Sequence, residues 1–171
     1  MFGQNSAINM ESDMLPRIFI ASSSEGLETA KEICKYLSSL NFAKIDLWKL
    51  SDCFKPGSFN LQSLVDCSKL YDFAIILLTP DDKTISRDKE CFSPRDNVVL
   101  EMGLFIGKIG IDRTIIVYKK NAGIKKPTDI DGLIFLSYDR EDEIAGVCIN
   151  IENHIKKKMI YCIGYNKKNM E

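Results

Sequence analysis

The stretch Phe73-Ala74-Ile75-Ile76-Leu77-Leu78 decides the fold of this chain. All six residues are apolar, which is typical of a central parallel strand with helices on both of its faces. Shorter strand patterns and helical patterns alternate on either side of it. The predicted strands are 16–22, 43–48, 73–78, 114–118 and 133–136, and the predicted helices are 27–40, 61–70, 93–109 and 140–159. This alternation predicts an α/β fold, a doubly wound open parallel sheet of five strands with helices on both faces.

Length and charge indicate one domain with no bias toward nucleic acid. The chain has 171 residues and a net charge of −1, so it lacks the basic excess that is usual in nucleic-acid-binding domains. We assign residues 1–15 to a flexible N-terminal tail and residues 16–160 to the domain. Residues 161–171 are assigned to a basic C-terminal tail or linker.

Histidine and cysteine usage restricts the chemistry. His154 is the only histidine, which excludes a multi-histidine metal site. The six cysteines include no Cys-x-x-Cys pair, so we predict no metal and reduced thiols. The N-terminus has no signal-peptide pattern, and the longest apolar run is too short to span a bilayer. We therefore expect a cytoplasmic protein with no membrane partner.

Ligands of open parallel sheets bind at the carboxyl ends of the strands, where the strand order reverses. The segments that satisfy this rule are Ser22–Gly26, Trp48–Ser58 and Thr79–Ser93, the last of which is predicted to be a charged loop. The first carries hydroxyl groups ahead of a helix, which suits an anion, but it has neither G-x-G-x-x-G nor G-x-x-x-x-G-K-[ST]. These serines are equally consistent with ordinary helix caps, because Ser22 and Glu25 have the spacing of a capping box.

The predicted helix 93–109 carries a single acid in its apolar stretch, Glu101. Asn97 lies four residues before it, so the two share a helical face. An ionised carboxylate there must face a cleft or a partner, because burial without a partner is costly. The structural alternative is an ion pair with a nearby base, for which the candidates are Arg95, Lys108 and Arg113.

The same segment also predicts how the helix begins and packs. Ser93 is expected to be the N-cap, with Pro94 at the first helical position. Gly103 and Gly107 are four residues apart, and this spacing predicts a close approach to a neighbouring helix. Gly110 is expected to end the helix.

Three blocks of sequence together resemble one family. They are residues 19–27 (FIASSSEGL), residues 71–82 with Tyr-Asp-Phe-Ala and Thr-Pro-Asp-Asp, and residues 94–107 (PRDNVVLEMGLFIG). Residues 127–133 (PTDIDGL) match a further segment. The family is the bacterial TIR-like, predicted nucleotide-binding domain, known from TIR–STING effectors of cyclic-oligonucleotide anti-phage (CBASS) systems. The resemblance covers residues 16–158 and implies a flavodoxin-like, TIR-like sheet.

The resemblance implies an NAD⁺ glycohydrolase whose catalytic residue is Glu101. Cleavage of the nicotinamide–ribose bond develops oxocarbenium-like charge, which a nearby carboxylate stabilises or traps. Nicotinamide leaves as a neutral pyridine, so a catalytic histidine is unnecessary. NAD⁺ is the expected substrate, and no other cofactor is expected. The predicted substrate-binding residues are Ser22, Ser23, Ser24, Phe54, Asp81, Asp82, Arg95 and Asn97.

Several of these residues have a structural alternative. An aspartate pair after a strand, such as Asp81 and Asp82, is often only a turn. Arg95 can bind phosphate or can pair with a neighbouring acid. Trp48, like Phe54, lies where an aromatic ring can stack on a base, although core packing is the more ordinary role for the tryptophan.

The resemblance also suggests partners and leaves other functions open. Members of the family are switched on by self-association, and TIR–STING effectors carry a sensor domain after the TIR-like domain. We therefore expect self-association and a STING-like sensor domain beyond this chain. The alternatives are an N-glycoside-transfer or nucleotide-binding protein for another nucleotide, and a non-catalytic TIR interaction module.

Overall fold

A computed structural model of the chain describes residues 15–50, 61–86, 89–125 and 132–168. The predicted N-terminal tail is almost wholly outside these residues, and so is Phe54. The strands are β1 (Arg17–Ser22), β2 (Lys44–Leu47), β3 (Phe73–Leu78), β4 (Asp82–Ser86), β5 (Lys89–Ser93), β6 (Thr114–Lys119) and β7 (Ile134–Tyr138). The helices are α1 (Leu27–Ser39), α2 (Leu61–Ser68), α3 (Asp96–Ile109) and α4 (Ile144–Lys168), with 3₁₀ turns at Trp48–Leu50, Ile111–Arg113 and Glu141–Glu143.

The main sheet has five parallel strands in the order β2-β1-β3-β6-β7. Ile75 at the centre of β3 is in register with Ile20 of β1 on one side and Ile115 of β6 on the other. The chain runs outward from β1 in one direction and from β3 in the other, so the strand order reverses between these two strands. The α/β, doubly wound, five-stranded sheet expected from the sequence is confirmed.

Alternate residues of β3 enter two separate cores. Phe73, Ile75 and Leu77 face the core that α1 and α4 cover. Ala74, Ile76 and Leu78 face the core that α2 and α3 cover. Every residue of β3 is therefore buried, which explains why its sequence is apolar without interruption.

Aromatic packing fixes α3 on the second face of the sheet. The Phe105 ring stacks on the ring of Phe19 in β1, with the ring centroids 5.0 Å apart. The Tyr71 ring also packs against Phe19, with the two ring centroids 5.1 Å apart. Phe19 and Phe105 are fully buried. This contact ties the middle of α3 to the first strand, one helical turn beyond Glu101.

The charged loop expected after β3 is instead an antiparallel hairpin, so that prediction was wrong. Asp82 of β4 lies opposite Ser93 of β5, and the ladder continues to the turn. β5 is also held from its other side, because the Phe92 amide donates to Gly123 O and the Lys125 amide donates to Phe92 O. Charged residues interrupt the β-branched and aromatic residues along the hairpin. Because of this, the two strands contain no apolar run that would identify them in the sequence.

Several element boundaries differ from the sequence prediction. Ser93 ends β5 instead of capping a helix, and Arg95 is the N-cap of α3. The last helix begins at Ile144 and continues to Lys168, whereas we expected it to end near Met159. In the described part of the chain, no helix is both long enough and apolar enough to cross a membrane.

The two glycines of α3 do not make the close helix contact that their spacing predicted. Gly103 and Gly107 are exposed, and a Cβ atom built on either would meet nothing within 4 Å. Gly110 differs because it has φ 92° and ψ 163°, a conformation that residues with a Cβ atom rarely adopt. The prediction for Gly103 and Gly107 was wrong, while the helix does end at Gly110.

We expect Gly103→Ala to raise the free energy of unfolding by about 0.5–1 kcal/mol, because alanine loses less conformational entropy in an open helical position. Gly110→Ala is the matched comparison, and it should lower stability by about 1–3 kcal/mol through backbone strain. Urea denaturation of both variants measures the two changes. A destabilising Gly103→Ala would show that this face of α3 is packed against another surface in solution.

Candidate active site at the carboxyl ends of β1 and β3

The predicted segments Ser22–Gly26 and Thr79–Ser93 meet at the point where the strand order reverses. The loop after β1, residues 22–26, lies against the turn that follows β3. The Ser23 and Thr79 hydroxyl oxygens are 2.9 Å apart in a buried hydrogen bond. The second segment joins them through its first residue, because Trp48 Nε1 donates to Ser22 Oγ at 3.1 Å. The sequence rule therefore selected segments that are neighbours in the structure.

Ser23 uses all of its hydrogen-bonding capacity within this junction. Its hydroxyl donates to Asp81 Oδ1 at 3.1 Å, since an ionised carboxylate can only accept. The Thr79 hydroxyl must then donate to Ser23 Oγ. Ser23 Oγ also accepts from the Gly26 amide at 3.2 Å, at the start of α1. Ser23 is 4% exposed, and its hydroxyl group holds the loop in place.

Asp81 joins this loop to the helix that carries Glu101. Its Oδ1 accepts the Ser23 hydroxyl, and its Oδ2 accepts the backbone amide of Arg95 at 3.2 Å. The Asp81 amide donates to Thr79 O and to Ser93 O, which fixes the carboxylate between the end of β3 and the end of β5. Asp81 thus bonds the N-cap of α3 directly and the start of α1 through Ser23.

An ion pair across the junction replaces the capping box expected for Ser22 and Glu25. Glu25 Oε1 accepts from the Arg95 guanidinium at 2.6 Å, and both side chains are nearly half exposed. The N-cap of α1 is Gly26, without a side-chain cap. A Cβ atom at Gly26 would lie 3.0 Å from Thr79 Cγ2, so the loop packs tightly on the end of β3. The capping-box prediction was wrong.

Glu101 is buried, and no residue in the described part of the chain forms an ion pair with it. It lies on the sheet-facing side of α3 with Val98, Met102 and Phe105, and it is only 5% exposed. Its Oε2 atom has no hydrogen-bond partner among the residues that the structure describes. The ion-pair alternative fails, because Glu101 makes no salt bridge within those residues and Arg95 pairs with Glu25.

Burial raises the pKa of Glu101 to about 7. Desolvation disfavours the charged form, and no positive group opposes it. Near neutral pH this carboxyl group is therefore protonated to a larger extent than an exposed glutamate. A buried acid with this property is a candidate for proton transfer or for stabilising a positive charge.

The remaining predicted site residues differ in their exposure to solvent. Ser24, Asn97 and Asp82 are exposed, in the first loop, the first turn of α3 and the start of β4 respectively. Ser22 is buried under the Trp48 indole. Sequence reasoning did not select Thr79 or Glu25, although Thr79 directly follows the most apolar strand. Over the described ranges, no cluster of His, Cys, Asp and Glu is arranged to hold a metal ion.

The fold and this junction define a TIR-like α/β domain with a buried carboxylate on the helix that follows the central strand. The family model for the CAP12/Pycsar effector protein, TIR domain, matches residues 17–140, and the chain belongs to that family. The resemblance to bacterial TIR-like effector domains is confirmed.

Individual relatives agree with the family. CD-NTase-associated protein 12 of Lachnospiraceae bacterium (strain RUG226) is 36% identical over 149 residues, which cover 84% of this chain and 45% of that protein. The protein of the same name from Niabella drilacis is 38% identical over 137 residues, covering 76% and 43%. Pycsar effector protein BcPycTIR of Burkholderia cepacia is 29% identical over 158 residues, covering 89% and 51%. The chain spans about half the length of these relatives.

The buried carboxyl group should make stability depend on pH. Between about pH 4.5 and pH 7 the folded protein holds a proton on Glu101 that the unfolded chain has lost, so stability falls as the pH rises. Glu101→Gln removes this penalty and should raise the free energy of unfolding by about 1–3 kcal/mol at pH 8. The difference should shrink toward pH 4.

Denaturant titrations at several pH values measure the difference in unfolding free energy between the wild type and Glu101→Gln. Glu141→Gln, at an exposed position, is the control and should show no such trend. Equal stability of wild type and Glu101→Gln at pH 8 would mean that the carboxylate is solvated in solution.

Proposed function

We propose that this domain is an NAD⁺ glycohydrolase that acts as the effector domain of a bacterial anti-phage defence protein. The observation that carries the proposal is the buried carboxyl group of Glu101, whose Oε2 atom has no hydrogen-bond partner among the described residues, on the helix whose N-cap amide is bonded to Asp81. Membership of the CAP12/Pycsar TIR family supports the same role. Glu101 is the proposed catalytic residue, and the proposed site of action is the cytoplasm.

The chemistry suits a carboxylate that lacks a positive partner. The bond between ribose C1′ and the nicotinamide nitrogen breaks, and its electron pair leaves with the nicotinamide. Positive charge then develops on the ribose, and an ionised Glu101 stabilises it or forms a bond to C1′. Water adds its oxygen to C1′ and releases a proton, which yields ADP-ribose. Attack by another nucleophile of the same molecule would yield a cyclised product instead.

The exposed polar groups around the junction suit the rest of a dinucleotide. The Arg95 guanidinium and the first amides of α1 and α3 are donors for a pyrophosphate. Asn97 and Ser24 are exposed and able to bond ribose hydroxyls. Phe54 is proposed to stack on a base, and it lies outside the described residues. We propose no metal, because a lone carboxylate suffices for this reaction.

Self-association is the proposed switch. Val99 and Leu100 are exposed apolar residues on α3, and Gly103 and Gly107 continue the same helix without covering side chains. A second copy packed there would be adjacent to the helix that carries Glu101. The relatives are about twice as long as this chain, which leaves room for a sensor domain, STING-like or otherwise. That sensor is proposed to control assembly.

The central test is release of nicotinamide from NAD⁺ by concentrated protein. Glu101→Gln should lower the rate about 10²–10³-fold, because it removes the charge that stabilises the transition state while keeping the shape. Glu141→Gln should retain the wild-type rate. Undiminished turnover by Glu101→Gln would overturn the assignment, and release of a base only from other nucleotides would favour the alternative N-glycoside transfer.

The rate should also follow the ionisation of Glu101. If the ionised form is active, kcat/KM should rise about tenfold from pH 6 to pH 8, with a midpoint near the pKa of about 7. A series of rates over this range in buffers of constant ionic strength measures the profile. A rate that falls with rising pH would instead indicate that the protonated acid is the active form.

A further inference from the structure

The position of Asp81 assigns it a role that its sequence pattern did not reveal. It precedes the hairpin on the turn after β3, where an aspartate would ordinarily serve only the turn. Both of its carboxylate oxygens are instead occupied by groups from other parts of the chain. One comes from Ser23, 58 residues earlier, and the other from Arg95, 14 residues later.

We propose that Asp81 is a positioning residue that holds the loop 22–26 and the start of α3 at a fixed separation, and so places Glu101 against the substrate. The inference rests on the proposed function for its catalytic consequence. It differs from the sequence expectation that Asp81 binds substrate itself, because each of its oxygens holds a donor from another part of the chain.

The geometry of the two bonds supports this role. Ser23 also accepts the amide of Gly26, the residue that caps α1, so Asp81 reaches the start of α1 through one hydroxyl. Arg95 is the N-cap of α3 and has no side-chain cap of its own, so Asp81 supplies the acceptor for its amide. A negative charge at the N-terminus of α3 is favourable with the dipole of that helix.

The connection to Glu101 is short and rigid. Glu101 lies six residues after Arg95 in one continuous helix, and the Phe105–Phe19 contact anchors that helix a turn further on. Val98, Met102 and Phe105 anchor the sheet-facing side of α3, and the polar contacts at its N-cap are those of Asp81 and the exposed Arg95–Glu25 ion pair. An exposed ion pair is a weak constraint, so the Asp81 bonds carry most of the polar positioning at this end of the helix.

The test uses Asp81→Ala, which removes both acceptor oxygens. Asp81→Asn is less decisive, because its Oδ1 can accept one donor while its Nδ2 donates to Ser23 Oγ. In the 171-residue chain, amide hydrogen exchange at Arg95 or Gly26 should accelerate about fivefold or more in Asp81→Ala, with the melting temperature nearly unchanged. Asp72→Ala is the matched control, because Asp72 Oδ2 likewise accepts a backbone amide, from Arg17, at the opposite end of the sheet.

A second variant separates the two bonds. Ser23→Ala removes the bond to the loop together with the acceptor of the Gly26 amide, and it leaves the bond to Arg95 intact, so exchange at Arg95 should stay unchanged. Unchanged exchange at both amides in Asp81→Ala would overturn the proposal. The same conclusion would follow if Asp72→Ala accelerated exchange at Arg95 as much as Asp81→Ala does.

Steady-state kinetics with NAD⁺ distinguish positioning from direct binding. A misplaced Glu101 should lower kcat about tenfold and leave KM within about twofold, because the loss appears in the transition state. A raised KM with unchanged kcat would show that Asp81 binds substrate, and would overturn the positioning role. If the wild type releases no nicotinamide, the proposed function fails while the exchange data still decide whether Asp81 holds the loop and helix together.

Discussion

Burying one ionisable group without a counter-charge is the constraint on which this structure depends. Glu101 is removed from water with no partner for Oε2 among the described residues, and its raised pKa records the free energy that this costs. The surrounding helix must therefore be held by other contacts. The stacking of Phe105 on Phe19 and the burial of Val98 and Met102 supply them. This apolar packing keeps the Glu101 carboxyl group in a buried position that desolvation disfavours.

The architecture could be predicted because it follows from burial. β3 is apolar on both faces, and the flanking helices show apolar residues at helical spacing, so sheet type and order of elements follow from the pattern alone. The hairpin β4–β5 could not be found in the same way. Its residues face solvent on much of their surface, as Ile85 does at 75% exposure, so no apolar alternation marks the strands.

The location of the candidate site could be predicted from the sequence, but the hydrogen bonds and ion pairs within it could not. The topological rule placed the loop after β1 beside the turn after β3, and one acid in an apolar helix selected Glu101. The partners of each group depend on contacts between distant residues, such as Arg95 with Glu25, 70 positions apart. Local spacing instead suggested a capping box for Glu25 and an ion pair for Glu101. The first failed because Glu25 pairs with the distant Arg95, and the second failed because that pairing occupies Arg95 and Glu101 makes no salt bridge within the described residues.

The missing partner of Glu101 has a consequence for how the proposed substrate would bind. The nicotinamide ring of NAD⁺ carries a positive charge, and a cation beside a carboxyl group lowers its pKa. Binding would therefore shift Glu101 toward its ionised form and release a proton into solution. By reciprocity, ionisation of Glu101 strengthens binding of the cation to the same degree. The bound substrate would then supply the positive charge that the described residues do not place beside Glu101.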